Sequence, residues 1–470
     1  MMKRSFIYLV LIWAYVYSNS RLAFQEMGAG TEIYSLFGFI GQESRIIETL
    51  IVLLFFFHTI ILNLRAKNEL ALNEFQKVFI LLSFQIALIC FFTINLNGIN
   101  IAGAFSAIYQ LLLPFILLFI TISYDYDKSY LLLIKKVIYF VFFLNTAVIF
   151  HQWLFLFNGE FVHGDYFRGI FSDSHAQAIF SFSLALMFLL YLIKTKKRKY
   201  LFLFIVSCFA AVIAQNEKAA IFFILVILLL FIGELNLNRY LTFFSVFLIG
   251  SFILVYIKDV LEALAPRALS FVDISNIFLM IPSIGFIAML ITFYYFILDS
   301  PLILFTGLGP ATFGSPACLR MVRENLSNPW AREYFYSEVS GDFSWLNISV
   351  EGLAMKNSFF VSSLGEYGLI IFVQLGILIS KMFKMIKQNS RIDHSNYVFV
   401  KSQKYILIYV LLCSVISTIG SWDTQIVLTP LILIIGINSN KYNQYKLSKI
   451  NEVPNMLKIL EHLFIKYKNR

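Results

Sequence analysis

Five cations stand apart in this chain: Arg168 in HGDYFRGIFSDSHAQ, Lys218 in AQNEKAAIFF, Arg267 in LEALAPRALSF, and Arg320 and Arg323 in ACLRMVRENLS. Guanidinium groups bind phosphate oxygens through paired hydrogen bonds, and a lysine adds a point charge. Cations of this kind gathered on one membrane face suit a diphosphate. Taken singly, each is as well explained as an interfacial anchor that snorkels to lipid headgroups, so it is the convergence that favours binding. Asp165, Asp173, His163 and His175 crowd the segment around Arg168. Glu366 opens an apolar run in LGEYGLIIF, where a carboxylate either complements the positive end of a helix or takes a proton. Arg332, Asp342 and Glu351 lie in a polar stretch between Asp299 and Phe359.

The elements that must hold these groups are membrane helices. Mean hydropathy is +0.79, with 59% hydrophobic and 14% charged residues, whereas a soluble surface needs about a quarter charged residues. Lipid is therefore the expected solvent. Apolar windows fall near 5–20, 45–64, 76–96, 103–123, 130–155, 176–193, 199–214, 219–235, 240–257, 364–386, 404–420 and 424–438. These predict an all-α, polytopic protein of about twelve transmembrane helices, each of roughly 20 residues. The whole chain, 1–470, reads as one membrane domain, with a long extracytoplasmic loop region at 258–363 and a basic tail at 439–470. With the N-terminus in the cytoplasm, 27 of the 37 Lys and Arg residues fall on the cytoplasmic side. The positive-inside rule favours that orientation. Both termini are then cytoplasmic and the polar stretch faces outward.

The first segment, MMKRSFIYLVLIWAYVYSNS, has a basic start and a short apolar core, so a cleaved leader is the alternative to a first span. KTKKRK at 194–199 reads as an orientation signal and membrane-surface contact; nothing folded around it suggests nucleic-acid binding. The 52 Phe and 25 Tyr suit lipid-facing and interfacial positions. Cys90, Cys208 and Cys413 lie in apolar runs and Cys318 in the polar stretch, which argues against a disulfide framework or a metal site. There is no Walker A motif, no GxGxxG at a strand–helix turn and no HExxH, so neither nucleotide-driven chemistry nor a cofactor is expected. The run GLGPATFG, 307–314, reads as a hinge that places the polar stretch. Trp330 and Trp345 suit either an interfacial belt or sugar stacking.

Three segments, in order, carry a family resemblance. The first joins RGIFSDSHAQAIFSFSLAL to the tight turn after it, which carries a basic residue in NEKAAIFFILV. Then come PLILFTGLGPATFGS, a long polar stretch, and KNSFFVSSLGEYGLIIFVQLGILI. Over roughly 165–380 the chain resembles the Wzy-type O-antigen polymerase and O-antigen ligase superfamily. The resemblance implies a multi-pass glycosyltransferase of the bacterial inner membrane that uses undecaprenyl-diphosphate-linked oligosaccharide at the outer face. It implies that basic residues at the positions of Arg168, Lys218 and Arg267 hold the lipid diphosphate. The turn commonly reads Ser-Arg in the family and reads Glu217-Lys218 here. Ligases typically carry His-Asn before the late span; this chain reads Lys356-Asn357, which favours a polymerase over a ligase.

The residue inventory is consistent with that chemistry. Cations neutralise a departing diphosphate, and one base takes the proton of the acceptor hydroxyl. Glu366 and His175 are the candidates for that base; Arg168, Lys218, Arg267, Arg320 and Arg323 are those for the diphosphate. Expected partners are the lipid-linked substrate, membrane lipid, and flippase and chain-length regulator proteins, without nucleic acid. The rival from another class is a lipid-linked oligosaccharide flippase, which should carry its charges along a central path and have short loops throughout.

Overall fold

The computed structural model describes residues 5–11, 43–65, 73–97, 101–155 without 125 and 127, and 167–171 without 168. It further describes 174–234 without 215, Leu290, most of 293–315, 358–390, 396–415 and 427–439. Within the described residues every regular element is a helix and none is a strand. In chain order these are α1 (5–11), α2 (Glu43–Arg65), α3 (Glu74–Asn97), α4 (Ile101–Ser123), α5 (Lys128–Phe155) and α6 (Ser174–Thr195). There follow α7 (Arg198–Ile213), α8 (Glu217–Glu234), the single turn α9 (Ile303–Thr306), α10 (Phe359–Asn389), α11 (Tyr397–Cys413) and α12 (Val427–Ser439). A further helical stretch lies within 293–298.

Five of these helices, α3, α4, α5, α6 and α10, are long and apolar enough to cross a membrane, and shorter apolar helices lie within α2, α8 and α12. This is the build of a multi-pass membrane protein. Its physical reason is that a lipid-embedded segment must satisfy its own backbone polar groups, which a helix does internally. The apolar window near 240–257, much of that at 5–20 and the basic tail lie outside the described residues.

Helix starts follow local chemistry. At α3, Asn73 Oδ1 accepts the N–H groups of Phe75 (2.7 Å) and Gln76 (3.1 Å). Gln76 Oε1 reaches back to accept the Asn73 N–H at 3.0 Å. This reciprocal capping box satisfies donors that the helix itself cannot.

Helix α6 is the centre of the bundle: 89% of its apolar window is buried, against 33% for α3, α5 and α10. It packs on α7, α8 and α11. Phe182 of α6 stacks on Phe223 of α8 at 4.3 Å, and Tyr409 of α11 meets both rings edge-on. The Tyr409 hydroxyl also donates to Ala219 O at 3.2 Å. Helix α10 packs on α3, α9 and α11.

One end of the bundle is a lysine end. Glu234, closing α8, accepts Lys194 at 2.7 Å, Lys401 at 2.8 Å and the Tyr405 hydroxyl at 2.8 Å, joining α6, α8 and α11. Glu74 of α3 takes Lys381 and Lys384 of α10. The Lys135 ammonium of α5 donates to the Tyr191 hydroxyl at 3.2 Å. Since the last turns of α6, α8 and α10 lie at this end, their first turns, with His175, Lys218 and Glu366, lie toward the other.

Candidate functional site

At that other end two buried constructions hold non-helical backbone in place. The first centres on Gly169. Gln152 of α5 grips this residue from both sides: Oε1 accepts its N–H at 2.9 Å and Nε2 donates to its carbonyl at 3.1 Å. Asn145, two turns earlier on α5, accepts the Ile170 N–H at 3.0 Å and donates to Gln177 Oε1 of α6 at 2.6 Å. Gln177 Nε2 donates onward to Ser181 Oγ at 3.0 Å and to Ala210 O of α7 at 3.2 Å. Gly169 has φ +61, and a Cβ there would overlap the Asn145 amide, so the turn requires glycine. Neutral amides thus do the work that water would do at an exposed turn.

Six residues beyond Gly169, His175 stands in the first turn of α6. Its Nδ1 meets the Nδ2 of Asn216. Asn216 caps α8: its Oδ1 accepts the Ala219 N–H at 3.0 Å and its carbonyl accepts the Ala220 N–H at 3.1 Å. With Oδ1 committed to the cap, the Asn216 NH2 is the group that faces the imidazole. This pair joins the first turns of α6 and α8. Lys218 lies one residue inside α8, in the same first turn; its side chain lies outside the described residues.

The second construction surrounds Glu366. This carboxylate is 1% exposed. Its Oε2 accepts the Ala311 N–H and its Oε1 the Phe313 N–H, each at 3.1 Å, and Ser315 donates to it as well. The segment 307–315 meets α10 where that helix is interrupted at Gly368, with φ +74 and ψ 176. Leu308 N–H donates to Gly365 O at 2.8 Å and Gly309 N–H to Glu366 O at 2.9 Å. The Phe313 ring is fully buried beside Gly365 and packs on Phe293 and Phe296. GLGPATFG is thus docked on a membrane helix over its described part, whereas the sequence alone suggested a hinge at the base of an outer loop. Most of the donors that hold it are backbone N–H groups, which no side-chain pattern reveals.

Of the seven residues singled out by their chemistry, His175 and Glu366 are described in full, and Lys218 is placed by its helix. Arg168, Arg267, Arg320 and Arg323 lie outside the described residues. So do His163, Asp165, Asp173, Arg332, Asp342, Glu351, Cys318, Trp330 and Trp345. The fold brings His175, the Lys218 turn and the Gly169 turn beside position 168 to one end of the α5–α8 group. Asn145, Gln152, Gln177 and Asn216 were missed by a search for ionisable groups. Their signal was present as amide side chains within or beside apolar runs, where an unsatisfied polar group is costly. Among the described residues no three His, Cys, Asp or Glu side chains gather closely enough to hold a metal ion.

No protein-family model and no curated protein matches this sequence. The functional reading therefore stands on residues, geometry and the resemblance of three ordered segments.

Proposed function

We propose that this chain is a polymerase of surface polysaccharide, an integral glycosyltransferase with about twelve transmembrane helices and both termini in the cytoplasm. On this reading it transfers undecaprenyl-diphosphate-linked oligosaccharide onto another lipid-linked repeat unit at the outer face of the bacterial inner membrane. The observation that carries the reading is the gathering of donors at one end of the bundle. The first turns of α6 and α8 are joined there by the His175–Asn216 pair, Lys218 lies in one of them, and the Gly169 turn beside Arg168 is held against α6. Helix starts carry partial positive charge, which favours phosphate oxygens.

In the reaction, the acceptor hydroxyl oxygen bonds to the anomeric carbon as the bond from that carbon to the diphosphate oxygen breaks. Negative charge grows on the departing diphosphate, where Arg168, Lys218 and Arg267, with Arg320 and Arg323, stabilise it. The proton of the acceptor hydroxyl passes to a base, for which the sequence offers His175 and Glu366. The lipid-linked substrate and membrane lipid are the direct partners; a flippase and a chain-length regulator are the proteins expected alongside.

Deletion of the gene tests the class of activity. A polymerase predicts surface glycan reduced to a single repeat unit, and a flippase predicts its complete loss. An unchanged long-chain ladder would sink both. Arg168→Ala and Arg267→Ala should each abolish polymer while leaving the amount of protein in the membrane unchanged. Wild-type chain lengths in these variants would reduce the cations to lipid anchors.

A further inference from the structure

Glu366 has the burial of a catalytic carboxylate but the surroundings of a structural one. Both oxygens already accept backbone N–H groups, from Ala311 and Phe313, with Ser315 donating in addition. A base needs a lone pair directed at the acceptor hydroxyl, whereas here the lone pairs are directed at the chain itself. The partner segment is also in a conformation that it would not hold alone. Ala311 has φ +59 and Gly307 has φ +70; a left-handed residue with a Cβ costs about 1–2 kcal/mol. Such backbone persists where its surroundings over-determine it.

The position of this contact gives it a consequence. The docked segment ends at Ser315, early in the polar stretch between Asp299 and Phe359, and Ser358 closes that stretch. Ser358 is the N-cap of α10, accepting the Val361 N–H, and the next residue, Phe359, donates its N–H to Ser414 O at 3.0 Å. Both attachment points of the polar stretch are therefore fastened to the first turns of α10, one through the cap and one through Glu366.

We infer that Glu366 is a positioning residue, a carboxylate clasp that fastens 307–315 into the kink of α10 and so fixes one attachment point of the polar stretch, and that it is not the base. The role in glycan transfer rests on the polymerase reading; the clasp itself does not. Glu366→Gln keeps one acceptor and sets an NH2 group against a backbone N–H, so it opens one side of the clasp with little change of volume.

The test uses the full-length protein in membranes, with its four cysteines replaced by alanine and Leu308→Cys as a reporter. Leu308 is buried in the docked segment. Labelling by a membrane-impermeant maleimide should be slow with Glu366 present and ~10-fold or more faster in Glu366→Gln, as expected when hydrogen bonds to a charged group are lost. Equal rates overturn the clasp whatever the glycan phenotype.

A second variant separates clasp from base. A Cβ at position 365 would stand 2.7 Å from Phe313 Cγ, one bond from the Phe313 Cβ. Cysteines at 313 and 365 are therefore close enough to be bridged by a disulfide. In a Glu366→Gln background that lacks the reporter, F313C with G365C should restore polymer length when oxidised and lose it again on reduction. Faster labelling without recovery by the crosslink overturns the positioning role and returns Glu366 to the reaction itself. A normal glycan ladder in the deletion strain removes the polymerase reading, while the labelling result still decides the clasp.

Discussion

The two ends of this bundle solve the same problem by different chemistry. At the lysine end, helices are joined by formal charges: Glu234 takes two lysines and a tyrosine across α6, α8 and α11, and Glu74 takes two lysines across α3 and α10. At the opposite end the joints are neutral amides and backbone groups. Gln152 and Asn145 hold a turn, Asn216 meets a histidine, and the buried carboxylate Glu366 accepts backbone N–H groups. Ion pairs suit a place where water and headgroups share the cost of solvating charge. Amides suit a place where irregular backbone must be satisfied without adding charge.

Removing joints should expose that contrast. Glu234→Ala leaves two half-buried lysines and a tyrosine hydroxyl without their shared acceptor. It should lower stability the most of the three variants considered, by up to about 3 kcal/mol, the low end for broken buried pairs because the lysines are partly solvated. Thermal unfolding in detergent measures this, and glycan chain length in surviving protein should be unchanged. A shortened ladder with intact protein would mean that the lysine end is not merely structural.

Gln152→Ala removes the partner of both polar groups of Gly169, at about 1 kcal/mol each once water enters the vacated space. Its loss of stability should be smaller than that of Glu234→Ala, yet it should shorten or abolish polymer, because the turn it holds adjoins Arg168. Normal chain length would break the assignment of function to this end. Lys381→Ala is the smallest change expected. Its partner Glu74 is exposed and keeps Lys384 nearby, so the unfolding midpoint and the ladder should both match wild type. A clear fall in either would mean that the ion pairs of this end are stronger than surface pairs usually are.

How far the sequence reveals this molecule differs between helices and site. The windows near 45–64, 76–96, 103–123, 130–155, 176–193, 199–214 and 219–235 each coincide with a helix, because an apolar run of that length has little alternative in lipid. His175 was visible as an ionisable group at a helix start, but its partner Asn216 was not, since a neutral amide is silent in a search for charge. Glu366 was visible for the same reason as His175, and its role was not, because its donors are backbone N–H groups more than fifty positions away in the chain. The glycines of GLGPATFG announced an unusual backbone without saying what it would dock against.

The interruption of α10 at Gly368 has a mechanical meaning. The carbonyls of Gly365 and Glu366, which a straight helix would pair four residues onward, receive the N–H groups of Leu308 and Gly309. The hydrogen-bond ladder of the helix is thus spliced into another part of the chain. Residues 359–367 are tied to 307–315, and the longer shaft, 369–389, is tied by Lys381 and Asn389 to α3 and α12. What looks in the sequence like one crossing is two pieces that meet at a glycine joint.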